Sequence, residues 1–234
     1  MLHKLMRCCA SLAFALAAGA ARLVAGAEKE AAVASKPETV SLPGLKIIGG
    51  EKKSVEATGA VSLTNGILEF AAVETEGRDY ESLFTLQCKP SALQFALILI
   101  GCETGAVPFK VEAGKKVGDR LDIDVEWKAD SKLKREPLEQ LMINRKTRKV
   151  PTDLQWIFTG SYFVHSPVTD KDVFLADSEQ AFITLWWNSA IPINLGTEHG
   201  NPYQSEAEGF EANPKLIPPK DAPIKLIFRK HGGK

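Results

Sequence analysis

The most apolar stretch of the chain is KPSALQFALILIGCETG, residues 89–105, where nine of the ten positions from 92 to 101 are apolar or glycine. Ser91 and Gln94 have the spacing of a capping box, which begins a helix. Gly101 can end the helix in a left-handed conformation. The pattern predicts a helix over residues 91–101. Because apolar side chains surround it, we expect it to be buried on nearly every side, as the central helix of the core.

Most of the remaining pattern predicts short strands. Residues 120–127 alternate, with Leu121, Ile123 and Val125 directed inward. Asn65-Gly66 predicts a tight turn within a hairpin over residues 61–70. The other predicted elements are strands over 154–164, 181–187 and 223–230, a short helix from Pro137 within 136–143, and a long loop over 196–222 that contains four prolines.

These elements predict an α+β fold: a mainly antiparallel β-sheet with one buried central helix and a long Pro-rich loop near the C-terminus. The repeated strand–helix alternation of a doubly wound fold is absent from the sequence. Residues 40–234 are expected to form this fold as a single domain, since about 190 residues can bury a proper core.

The first 27 residues have the three parts of a secretory signal peptide. Lys4 and Arg7 give a positive start, residues 11–21 are apolar, and Ala25-Gly26-Ala27 fits a cleavage site. The apolar part is shorter than the roughly 20 residues that a membrane-spanning helix needs. We therefore expect an exported, soluble product, periplasmic or extracellular, with residues 28–39 as a flexible tether. An amphipathic N-terminal helix of a cytosolic protein is the alternative.

Removal of the signal peptide would leave 26 basic and 29 acidic residues. This slightly negative balance gives the domain as a whole no excess of positive charge, so nucleic acid is not an expected partner. An envelope protein or a polysaccharide is the expected kind of partner.

Three carboxylates, Asp122, Asp124 and Glu126, share one face of the strand at 120–127. Their spacing of about 6.5–7 Å overlaps the carboxyl separation of inverting glycosidases. The same oxygens could face a calcium ion. A solvated strand face is the simpler interpretation, because lysines lie nearby in the sequence.

Two cysteines, Cys88 and Cys102, flank the predicted helix. A helix of nine or ten residues separates them by about 14–15 Å, which is too far for a disulfide unless the chain doubles back. A cysteine at a helix C-terminus also lies at the end of the dipole that disfavours a thiolate. Two buried, inert thiols are therefore predicted, with a redox or nucleophilic thiol as the alternative.

The predicted interaction surface combines an aromatic side chain with a polar loop, because long irregular loops often carry binding residues. Its residues are Trp187, Glu198, His199, Asn201, Pro202 and Tyr203. Glu198 and His199 could also bind zinc, but the sequence lacks an H-E-x-x-H motif. It also lacks a nucleophile elbow, a Walker A loop, a dinucleotide fingerprint and C-x-x-C. No metal or other cofactor and no catalytic residue is therefore expected.

Several segments together resemble the YdjY-domain family of exported bacterial proteins. They are ESLFTLQCKPSALQFALILIGCETG, WIFTGSYF, FLADSEQAFITL, NPY and IPPKDAPIKLIF, within residues 55–228. Members often have a histidine near the start of the helix, where this chain has Gln94. The resemblance implies export and a shared domain, without a mechanism. It favours a non-catalytic binding module of the envelope. The alternatives are a carbohydrate-active or other hydrolase, and a metal or redox protein.

Overall fold

The structure, a computed structural model, describes residues 38–105, 118–196 and 209–233. It is mostly β, with 46% strand and 13% helix. The strands of this part are β1 (Thr39–Leu42), β2 (Leu45–Ile48), β3 (Ser54–Val61), β4 (Ile67–Leu68), β5 (Phe70–Glu74), β6 (Ser82–Leu86), β7 (Asp119–Ala129), β8 (Lys132–Pro137), β9 (Met142–Asn144), β10 (Trp156–Phe158), β11 (Phe163–Ser166), β12 (Lys171–Phe174), β13 (Ala181–Thr184), β14 (Ile193–Leu195), β15 (Phe210–Ala212) and β16 (Pro223–Lys230). The helices are α1 (Pro90–Leu99) and α2 (Leu175–Glu179), with 3-10 turns at Asp79–Glu81 and Leu138–Leu141.

Eight strands close into a barrel in the order β3-β16-β7-β10-β14-β13-β5-β6, and β6 pairs back with β3. The β13–β14 and β5–β6 pairs are parallel, and the other pairs of the barrel are antiparallel. Strands β1 and β2 extend from β3, and β8 pairs with β7. Separately, β4, β15 and β9 form a small sheet and β11 and β12 form a hairpin.

The predicted α+β class is therefore wrong, and so is the mainly antiparallel sheet around a central helix. The domain is a mixed β-barrel, and in the part of the chain described α1 is the one helix longer than five residues. Alternation along a strand indicates which face is buried, but it does not indicate the partner strands or whether the sheet closes. Those depend on contacts between distant parts of the chain.

Closure of the barrel depends on Gly59 in β3. One edge of β3 pairs with β2 over its first half and with β6 from Gly59 onward. A side chain at this position would place its Cβ 2.1 Å from the carbonyl oxygen of Thr85 in β6. Glycine is therefore needed for the two backbones to approach each other here.

Helix α1 confirms the predicted helix but not its burial. Leu93, Ala96 and Leu97 are buried in the core, whereas Phe95 and Leu99 are about half exposed. Pro90 occupies the first turn, a position where its missing N–H costs nothing. Because the helix begins before Ser91, the predicted capping box does not form.

The strand predictions succeed where alternation is clean. Strand β7 buries Leu121, Ile123 and Val125 as predicted, and β16 spans the whole predicted range. The predicted strand at 154–164 is broken, because Gly160 has a φ of +78° and approaches the side chain of Thr104.

The predicted hairpin at 61–70 is wrong. Strand β3 ends at Val61 and pairs with β6 and β16, while β5, which begins at Phe70, pairs with β6 and β13. The short helix predicted from Pro137 is the 3-10 turn Leu138–Leu141. Of the predicted loop over 196–222, residues 197–208 lie outside the described residues, and the rest includes β15. In the described ranges, no helix is long and apolar enough to cross a membrane.

Candidate functional site

Each of the three carboxylates of β7, Asp122, Asp124 and Glu126, contacts a basic side chain. The basic side chains come from the two strands that pair with β7, β16 and β8, and from His231 just beyond the end of β16. The contacts are Asp122–His231 (2.7 Å), Asp124–Arg229 (2.6 Å), Glu126–Arg135 (2.5 Å) and Glu126–Lys225 (3.3 Å). The hydrogen bond from Arg135 is the main reason that the pKa of Glu126 is lowered.

This arrangement does not favour carboxylate catalysis. A general acid needs a raised pKa, whereas Glu126 has a lowered one. The cavity beside Asp122, Asp124 and Trp156 has a volume of about 200 Å³, below the usual range of roughly 300–1,000 Å³ for ligand pockets. The ion pairs of Asp124 and Glu126 are best explained as contacts that hold β7, β8 and β16 together.

The two cysteines are separate, buried, free thiols. Burial raises the pKa of Cys88 to about 12, with a further contribution from Glu74. Burial also raises the pKa of Cys102 to about 11, with Asp119 adding to it. Because the thiolate is the reactive form, neither thiol is activated, and the geometry favours the predicted inert role.

The predicted interaction surface can be placed only in part. Trp187 is half-buried just beyond the end of β13, so it is not a strand residue. Glu198, His199, Asn201, Pro202 and Tyr203 lie outside the described residues. Among the residues that are described, no group of three or more His, Cys, Asp or Glu side chains could hold a metal ion.

A buried acidic cluster that no sequence pattern predicts lies at the start of β5 and β6. Glu69 and Glu81 are both buried, and Arg78 lies 3.9 Å and 3.8 Å from their carboxylates. The Arg78 guanidinium also stacks 4.3 Å from the centre of the Phe70 ring, and Trp186 donates its indole N–H to Glu69 at 3.0 Å. Burial is the main cause of the raised pKa of Glu69, and Glu81 adds to it.

No spacing in the sequence could have revealed this cluster. Glu69 and Glu81 are brought together by a backbone hydrogen bond at the start of β5 and β6. Arg78 also reaches Glu179 of α2 at 3.1 Å. The cluster therefore links α2 to the barrel.

Helix α1 is fixed to its neighbours by hydrogen bonds. The N–H and hydroxyl of Ser91 donate to the carboxylate of Asp177 in α2, at 2.8 and 2.7 Å. The amide of Gln94 donates to the carbonyl of Ser161 at 3.1 Å and accepts from its N–H at 2.7 Å. The helix is thus held in one orientation, and Gln94 has a structural role at this position.

The outer side of α1 is apolar and open to solvent. Phe95, Ile98 and Leu99 are 54%, 48% and 52% exposed, and we call them the apolar face. The helix has no charged side chain of its own. An uncharged, exposed apolar patch on a helix whose orientation is fixed is typical of a contact surface.

The two ends of α1 differ in charge. Its N-terminal end adjoins Asp177 and a cavity of about 540 Å³ lined in part by Glu74, Glu76 and Ala92. We call Glu74, Glu76 and Asp177 the acidic end. Lys89 also lies there and pairs with Glu74 at 2.5 Å.

The C-terminal end of α1 adjoins basic side chains together with Asp122. Arg229 and Lys230 are already paired with Asp124 and Asp119, whereas Lys52 and Lys53 are exposed. Ile100 shares a cavity of about 310 Å³ with these four basic side chains, and Lys230 donates to the carbonyl of Gly101 at 3.1 Å. We call this group the basic end; its members are Lys52, Lys53, Arg229 and Lys230. Each end complements the helix dipole, and together they flank the apolar face with opposite charges.

Comparison with known proteins identifies the domain. A family model described as the YdjY domain matches residues 47–229. No curated protein and no solved structure matches the chain. The match spans most of the chain and confirms the resemblance seen in the sequence. The chain therefore belongs to the YdjY-domain family.

Proposed function

We propose that this YdjY domain is a non-catalytic, exported binding module that uses the apolar face of α1 to contact a protein of the bacterial envelope. The observation that carries the proposal is the half-exposure of Phe95, Ile98 and Leu99 on a helix anchored by hydrogen bonds. A protein interface typically has an apolar centre with a polar rim, and α1 with its two charged ends has this arrangement.

The charges define the chemistry of the partner. A complementary surface would have an apolar centre, with basic groups opposite the acidic end and acidic groups opposite the basic end. Such complementarity would fix the direction in which the partner lies along α1. The interaction surface predicted at Trp187 and residues 198–203 stays a separate prediction.

The catalytic alternatives have less support. The carboxylates of β7 are paired with basic groups, and the pKa values of both thiols are raised well above neutrality. A polysaccharide partner is less favoured at α1, because the apolar face has no polar group that could bind sugar hydroxyls.

Export is part of the proposal and rests on the signal-peptide pattern of residues 1–27. The N-terminal residue of the protein recovered from the periplasm or medium provides the test. We expect Glu28, produced by cleavage after Ala27. An intact N-terminus on cytoplasmic protein would contradict it.

Labelling of an introduced cysteine tests the contact. Phe95→Cys would be treated with a maleimide in the envelope of producing cells and, after purification, in dilute solution. The matched control is Val168→Cys, since Val168 is 92% exposed and far from α1 in sequence. Cys88 and Cys102 are buried and should react slowly.

We expect position 168 to react equally in both settings. Position 95 should react readily in dilute solution and slowly in the envelope, because a partner covers it there. Equal reactivity at position 95 in both settings would contradict the proposed contact.

A further inference from the structure

Along α1, the apolar face lies between the acidic end and the basic end. If a second α1 runs in the opposite direction, its basic end lies opposite the acidic end of the first. We propose that its partner is a second copy of this chain, related by a two-fold axis that packs α1 antiparallel against α1 of the partner. This inference rests on the proposed function and names the partner. Two-fold dimers are the commonest symmetric assemblies, and each buries the same patch of both subunits.

The geometry of α1 favours this pairing. Ala92 adjoins the acidic end and Ile100 the basic end, and the rise along a helix separates them by about 12 Å. An antiparallel copy centred between them places Ala92 opposite Ile100 of its mate. Phe95 then lies against Ile98 and Leu99 of the mate, so that the apolar faces cover each other.

In the same antiparallel arrangement, the acidic end of each subunit lies against the basic end of the other. Glu76 is exposed, as are Lys52 and Lys53, and none of the three forms an ion pair with a described residue. In the antiparallel dimer, Glu76 of each subunit faces Lys52 and Lys53 of the other. A parallel arrangement would instead oppose like charges at both ends, which is destabilising.

The contact is small. The interface is centred on three half-exposed side chains of a ten-residue helix. The area that it buries is well below the roughly 800 Å² per partner of a standard stable complex. The dimer is therefore weak, and its population depends on protein concentration and falls with added salt.

Sedimentation equilibrium of the purified protein over a range of concentrations tests the dimer. Two charge-reversal variants are used, Glu76→Lys and the double variant Lys52→Glu/Lys53→Glu. We expect the unmodified chain to pass from monomer to dimer as its concentration rises. Each variant alone should remain monomeric at concentrations where the unmodified chain is dimeric, because like charges then oppose each other at both ends.

An equimolar mixture of the two variants gives the sharpest result. In a mixed pair, the positive charge introduced by Glu76→Lys in one chain faces the negative charges introduced by Lys52→Glu/Lys53→Glu in the other. The second contact pairs the unchanged Glu76 with the unchanged Lys52 and Lys53, and it is also attractive. We expect the mixture to recover a heterodimer, detected by a tag on one variant. Thermal melting of each variant should match the unmodified chain, since the three positions are exposed.

A monomeric unmodified chain at every concentration, variants that dimerise as well as it does, or a mixture without heterodimer would each overturn the inference. If position 95 is nevertheless protected in the envelope, the proposed contact stands with a different protein. If position 95 is unprotected in the envelope and the chain is monomeric, both proposals fail.

Discussion

At the scale of single residues, each acidic side chain has a role that depends on the groups packed around it. Asp122, Asp124 and Glu126, which the alternating sequence of β7 places on one face, are paired with basic groups. Glu69 and Glu81, which no pattern marks, form a buried cluster. Charge state is set by neighbours in space, and these neighbours come from strands far apart in the sequence.

Replacement of Glu69 by Gln tests the raised pKa. A raised pKa means that the folded chain holds this proton more tightly than the unfolded chain does. The fold therefore loses stability as the pH rises from the pKa of Glu69 in the unfolded chain to its higher pKa in the folded chain. The Glu69→Gln variant cannot ionise, and its amide oxygen can still accept from Trp186. We expect its melting temperature to exceed that of the unmodified protein at pH 7, with the advantage disappearing near pH 4.

The control is Glu51→Gln at an exposed position, where we expect little change at either pH. A loss of stability on Glu69→Gln that is larger at pH 7 than at pH 4 would contradict the raised pKa, because it would show that the ionised carboxylate beside Arg78 stabilises the fold.

At the scale of elements, the sequence predicts well where one face of an element is polar. Alternation identified the buried face of β7. The hydrophobic pattern did not predict the exposed side of α1. A helix that is apolar on all sides can be fully buried, or it can leave one apolar side exposed to solvent. The hairpin predicted from Asn65-Gly66 also failed, since β5 pairs with β6 and β13.

Replacement of Gln94 by Ala tests how α1 is held. It removes two hydrogen bonds to the backbone of Ser161 and leaves buried polar groups unsatisfied, which costs about 1–3 kcal/mol. We expect a clear decrease in denaturation midpoint. Gln155→Ala, at an exposed glutamine, is the matched control and should change stability little. Equal effects of the two substitutions would contradict the anchoring role.

At the scale of the whole molecule, closure of the barrel could not be predicted from the sequence. The family resemblance was recognisable from several separate motifs, but it did not predict the order of the strands in the sheet. Closure requires β6 to pair with both β3 and β5, and Gly59 in β3 resembles any other glycine in a strand until the position of Thr85 is known.

Replacement of Gly59 by Ala tests closure. Its Cβ would lie 2.1 Å from the Thr85 carbonyl oxygen, so β3 and β6 must separate. We expect the free energy of unfolding to decrease by about 3 kcal/mol, the upper part of the usual range for overpacking. The control is Gly232→Ala, where nothing lies within 4 Å of the added carbon and the φ of +69° is the one source of strain, at a cost of about 1 kcal/mol. A cost at Gly59 no larger than at Gly232 would contradict the close pairing.

The proposed contact requires α1 to have one buried side and one exposed side, and thermal melting of two variants in dilute solution tests this most directly. Phe95→Asp places a charge on the apolar face, and Leu97→Asp places the same charge in the core two residues away. We predict that Phe95→Asp melts within a few degrees of the unmodified domain, while Leu97→Asp fails to fold. If Phe95→Asp also unfolds the domain, α1 is buried on all sides and has no face to offer a partner.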